Sequence, residues 1–140
     1  PSSKLFLNVR EKLSLCYYCS AMFISMKGIM LVQSGVETKN VDKAKEEILF
    51  QLEEIKKGNF DDDEINAAKL SMCNNYRSLS DSLGGLEAWY LSQTFANYVK
   101  RPEEEAAIIS SVTRQQIIDA ANMVTLDTVY RLVGNGVEKE

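Results

Sequence analysis

Histidine is absent from all 140 residues. Its absence removes the commonest metal ligand and the usual general base near neutral pH, so any chemistry here is not histidine chemistry. Cysteine is sparse: three residues cannot all pair with one another. An acidic domain of this size folds without disulfide staples, which makes a reducing cytoplasm the expected setting. Positive charge is in deficit, with 16 Lys and Arg against 20 Asp and Glu and a net charge of -4. No basic run tracks a phosphate backbone, so nucleic acid is not an expected partner. Long hydrophobic runs are missing too. The longest, such as Ala21 to Ser25 and Ile29 to Val32, fall far short of the roughly 20 residues that cross a bilayer. No signal-peptide pattern opens the chain, and no membrane association is expected. What remains is an ordinary globular composition, 45% hydrophobic, enough for about one domain with a real core. Pro1 stands where a Met would open a complete chain, so further sequence upstream is expected.

Apolar spacing gives the organisation. Ser2 or Ser3 can cap a helix of three turns whose buried stripe is Leu5, Phe6, Val9 and Leu13. Tyr17 to Ile24 and Ile29 to Val32, parted by Met26-Lys27-Gly28, read as a β-hairpin. Both runs are apolar at odd and even positions alike, which predicts a sheet covered on both faces. Val41, Ala44, Ile48, Leu52 and Ile55 mark an amphipathic helix behind Asn40, closed by Lys56-Lys57-Gly58. Asp61 and Glu64 have capping-box spacing ahead of a helix carried by Ile65, Ala68, Met72, Tyr76 and Leu79. Gly84-Gly85 predicts a break before helical character resumes through Trp89, Phe95 and Tyr98. Pro102 with Glu103, Glu104 and Glu105 suits the positive end of a short helix through Ile109. Thr113 and Gln116 form a second capping box, with Ile117, Ile118, Ala121 and Val124 behind it. Thr128 to Val133 alternates like a strand and ends at Gly134. Helix, two strands, several helices and a strand predict an α+β fold, a small antiparallel sheet packed against helices.

Several patterns invite chemistry and do not sustain it. Cys16 and Cys19 have the gap of a metal or redox motif, but residues three apart on a regular strand face opposite ways. Only Cys73 remains as a further thiol, and packed thiols are expected. Asp61 to Glu64 lacks the alternating oxygen ligands and mid-loop glycine of a calcium loop. Glu53-Glu54 and Glu103 to Glu105 belong to solvated helix faces. Trp89, Tyr90, Phe95 and Tyr98 read as packing residues.

Ser2-Ser3-Lys4-Leu5-Phe6, followed by Asn8-Val9-Arg10-Glu11-Lys12-Leu13-Ser14-Leu15-Cys16-Tyr17-Tyr18, resembles a segment of the pitrilysin/insulinase family of zinc peptidases. In that family it reads Ser-Ser-(Arg/Lys)-Leu-Phe-x-x-(Val/Leu)-Arg-Glu-x-x-x-Leu-x-Tyr. The motif spans about the first twenty residues, and the order of the remaining elements extends the resemblance over nearly the whole chain. It is closest in flavour to the C-terminal half of the small bacterial members. The resemblance implies two similar halves around a chamber, with zinc on a half bearing His-x-x-Glu-His and an Arg and a Tyr seven residues apart reaching over from the other half. Here that pair is Arg10 and Tyr17, with Tyr18 the adjacent rival. A guanidinium and a phenol can donate to the oxygens of a bound peptide and stabilise developing charge. The implied role is a zinc-free, substrate-binding or scaffold portion, with no cofactor of its own and zinc in the catalytic half.

The resemblance also implies that residues 1–140 make a single or partial domain lacking its upstream strands. An uncovered sheet edge would then favour an oligomer or larger assembly. The expected partners are the catalytic half and a peptide substrate. Two other readings stay open: a family member without catalysis that serves as structural or assembly subunit, and an unrelated α+β binding module in which the Arg…Tyr spacing is chance.

Overall fold

The computed structural model describes residues 4–133. Within them the fold is α+β. A π-helix at Leu5–Lys12 leads into β1 (Cys16–Ile24) and β2 (Ile29–Val36), followed by α1 (Val41–Lys56), α2 (Asp62–Ser78), α3 (Leu83–Phe95), α4 (Pro102–Ser111) and α5 (Arg114–Asn122). The two strands pair antiparallel, from Ile24 opposite Ile29 to Cys16 opposite Val36. A short 3₁₀ turn at Ser25–Lys27 and Gly28 at φ +63 make the reversal, as the glycine between the apolar runs predicts.

The core on the hairpin side is built from small residues. Val9, Cys19 and Ala44 are buried, with Leu5, Leu15, Cys16, Val32, Val36 and Ile48 packed around them. The π-helix, hairpin and α1 therefore meet at one point. Asn8 Nδ2 donates to Gln51 Oε1 at 2.9 Å, and Gln51 Nε2 donates to Glu47 Oε1 at 2.6 Å. These bonds satisfy a glutamine that would otherwise be costly to bury.

Helix ends follow their caps. The Asp61 carboxylate accepts from Glu64 N at 2.8 Å while Glu64 Oε2 accepts from Asp61 N at 3.0 Å, the reciprocal box its spacing predicts. Thr113 and Gln116 repeat it, and Pro102 begins α4. Gly58 ends α1 at φ +79, a backbone that favours glycine, and a Cβ there would sit tightly, 3.0 Å from Ile118 Cδ1. Arg114 ties this corner together: it donates to the carbonyls of Gly58 and Phe60, pairs with Asp62 at 2.8 Å, and lies over the Phe60 ring. On the far side α2 packs on α4, where Cys73 Sγ donates to Ala106 O at 3.3 Å. Tyr76 and Trp89 meet edge to face at 5.4 Å, and the indole donates to Lys100 O at 2.9 Å.

Several expectations are corrected. The first helix is a π-helix of two turns, and Leu13 lies outside it and half exposed, because the chain reverses at Ser14, φ +49. The caps Ser2 and Ser3, and Gly134, lie outside the described residues. Asn40 starts α1 without a side-chain cap bond. In α2 the packed residues are Ile65, Cys73 and Tyr76, while Ala68 and Met72 face out. The break after α2 falls at Leu79–Ser82; Gly84 and Gly85 lie in the first turn of α3, where the Ser82 hydroxyl accepts from Gly85 N at 3.1 Å, and Tyr98 lies beyond that helix. Thr128 to Val133 is not a strand: Arg131 pairs with Asp42 at the start of α1, and Tyr130 and Leu132 are exposed. Alternation alone does not make a strand without a ladder partner, and this segment pairs with neither strand of the sheet. Nor is the hairpin covered on both faces: Tyr18, Met22 and Phe23 are 54, 56 and 62% exposed.

Candidate functional site

The site forms where the π-helix hands over to β1. Ser14 N donates to Arg10 O at 3.0 Å and Leu15 N to Val9 O at 3.1 Å, which folds the end of the helix back over the start of the strand. Ser14 adopts the left-handed region to do so, an uncommon conformation outside glycine. The reversal brings Arg10 and Tyr17 to one open cavity of about 320 Å³, together with Glu11, Ser14, Glu37 and Asn40.

Tyr17 reaches that cavity because β1 is irregular there. Cys16 pairs with Val36 and Tyr18 with the next residue back, Gly35, so Tyr17 is the extra residue of a β-bulge. Bulges re-aim side chains, often beside functional sites. Tyr18 is committed elsewhere: its ring covers Gly35 so closely that a Cβ on the glycine would lie 2.4 Å from ring atom Cε1. Of the two adjacent tyrosines, Tyr17 lines the cavity with Arg10.

The Arg10 guanidinium lies 4.7 Å over the Phe6 ring and 3.9 Å from Glu11. Both charged groups are solvent-exposed, so this ion pair is weak, and the ring restricts the guanidinium without occupying its donors. Glu37 meets Lys39 at 2.7 Å. The hydrogen bond and charge of Lys39 hold the Glu37 carboxyl below its ordinary value, with the Tyr17 phenol adding a smaller pull in the same direction. Arg10 and Tyr17 are legible in the sequence through the family resemblance, and Glu37 and Asn40 are not. A carboxylate and an amide just past a strand carry no periodic signal, and only the hairpin register brings them to the site.

The bulge also corrects the expectation for the cysteines. An extra residue between Cys16 and Cys19 returns both to the same face, where both join the Val9 and Ala44 core. Burial pushes the Cys19 thiol up, and the neighbouring Cys16 adds to it. Two thiols do not make a metal centre: Cys73 lies across the fold against Ala106. Among the described residues no three His, Cys, Asp or Glu side chains are grouped to hold an ion. The donor set of the described residues does not fit zinc.

The element order, helix, hairpin and helices, defines an α+β domain in which Arg10 and Tyr17 line one open cavity. The comparisons with known proteins agree. Residues 1–72 match the family described as Peptidase M16 inactive domain. The chain is 38% identical over 132 residues to a protein of Bacillus subtilis (strain 168) described as "Probable inactive metalloprotease YmfF", covering 94% of this chain and 31% of that protein. It is similar to the solved structure "Crystal structure of a conserved protein from Enterococcus faecalis V583", with TM-score 0.77 and 36% identity over 86% of this chain and 28% of that one. The chain belongs to the peptidase M16 family, the pitrilysin/insulinase group it resembles in sequence, and corresponds to that family's inactive C-terminal domain. It spans about a third of the length of these relatives. No helix among the described residues is long and apolar enough to cross a membrane.

Proposed function

We propose that this chain is the substrate-holding portion of a peptidase-type chamber in the cytoplasm, with Arg10 and Tyr17 engaging the backbone of a bound peptide. The observation behind this reading is the cavity shared by the two residues, presented by a bulge that leaves Tyr18 packed on Gly35. An extended peptide offers a donor and an acceptor at every residue, and a guanidinium anchored on an aromatic ring is suited to its carbonyls. The catalytic zinc belongs to a histidine-bearing half, whose packing against this chain is part of the proposal. The open hairpin supplies apolar surface for that partner, or for a second copy, in keeping with an assembly larger than one chain.

The test is peptide cleavage by the full-length protein supplied with zinc, comparing wild type with Arg10→Ala and Tyr17→Phe. Reduced turnover in folded variants supports substrate engagement. A second reading, a scaffold without catalysis, is favoured by the printed name of the B. subtilis relative. Under that reading the wild type cleaves nothing, yet still holds a peptide or protein.

A further inference from the structure

The bulge that presents Tyr17 also fixes where β2 ends. Since Cys16 pairs with Val36, the next residue, Glu37, leaves the sheet beside the extra residue of β1, and both side chains line the cavity with Arg10. Glu37 is held from its other side as well. Its backbone is extended at φ -64 and ψ 142, and its carbonyl accepts from Asn40 N at 2.8 Å across the single turn Thr38–Asn40. That turn brings Lys39 back to the carboxylate at 2.7 Å.

An ionised carboxylate can only accept hydrogen bonds, and a phenol has a single proton to donate. Those two facts constrain what Tyr17 can offer a ligand. If its proton is directed to Glu37, the free face of its oxygen is an acceptor, while Arg10, which has only donors, keeps the opposite polarity.

We propose that Glu37 is the positioning residue of this site: held by Lys39, it takes the Tyr17 hydroxyl proton as a hydrogen bond and turns the phenol oxygen into an acceptor for a peptide N–H. Arg10 then donates to a carbonyl of the same strand. The site reads one donor and one acceptor of an extended peptide backbone, independent of side chains. This rests on the peptide-holding reading above and adds the polarity of each contact.

The experiment measures binding of a fluorescein-labelled, end-blocked extended peptide to the full-length protein by fluorescence anisotropy. A matched series of probes carries one backbone amide at a time replaced by an ester. With wild type, one ester probe binds about threefold more weakly than the all-amide parent, the size expected for one exposed hydrogen bond. Tyr17→Phe and Glu37→Ala each abolish that discrimination and weaken the parent probe, and the double variant is no weaker than either single one. Glu37→Gln, which keeps an acceptor oxygen, restores most of the affinity. Thermal unfolding of all variants stays at the wild-type temperature. If Arg10→Ala and Tyr17→Phe bind the parent probe like wild type, the peptide-holding reading itself fails. If Tyr17→Phe weakens binding but Glu37→Ala leaves affinity and ester discrimination intact, or their losses simply add, the site stands and the role of Glu37 is overturned.

Discussion

The contact between α2 and α4 is closed at its centre, whereas the hairpin lies open. At the helical contact the buried residues are small, Cys73 and Ala106, and helix backbones approach closely. On the hairpin Tyr17, Met22, Phe23 and Met30 are large, apolar and exposed. The two regions teach different things about periodicity. On the helices, apolar spacing reports packing only in part: Cys73 and Ala106 are buried at the contact while Leu70, Met72 and Ile108 stay exposed. On the strands, the same apolar spacing leaves large side chains exposed among the described residues.

That contrast can be broken by substitution. The largest effect is expected on the closed side, where Ala106→Leu should overpack the α2 contact and cost about 1–3 kcal/mol in denaturant unfolding. Next, Asp61→Ala removes the capping box of α2 and should cost about 1 kcal/mol, read the same way. On the open side, Phe23→Ser should change the unfolding free energy of these 140 residues by no more than about 0.5 kcal/mol, since an exposed ring loses little burial. A loss as large as that of Ala106→Leu would mean the hairpin is covered and the comparison is wrong. The smallest effect concerns Glu104, whose carboxyl is held below its ordinary value by the Arg101 backbone N–H and then by the Arg101 side chain. A depressed carboxyl stabilises the fold above its unfolded value and loses that contribution as pH falls through the folded one. The melting temperature of wild type and Glu104→Gln should therefore differ at neutral pH and converge in acid.

Most of the element order was legible in sequence because it is written locally. Asp61 with Glu64, Thr113 with Gln116, Pro102 and Gly58 each act within one turn of chain, and each works in the structure as its spacing predicts. The hairpin followed from two apolar runs about a glycine. What failed was non-local. Thr128 to Val133 has strand alternation but no strand beside it. The outward face of α2 depends on where α4 docks, which no period in α2 records. At the site, Arg10 and Tyr17 came from resemblance, while the bulge behind them did not. A one-residue slip between Cys16 and Tyr18 leaves no compositional trace, yet it decides which tyrosine meets the arginine, places two thiols side by side, and brings Glu37 alongside.

The covering of Gly35 by the Tyr18 ring has a consequence for how such chains diverge. A methyl group at position 35 would overlap the ring at 2.4 Å, so position 35 cannot gain a side chain while the ring stays in place. Across related chains a side chain should therefore appear at 35 only where 18 has already become small, so the order of change along that strand pair runs one way.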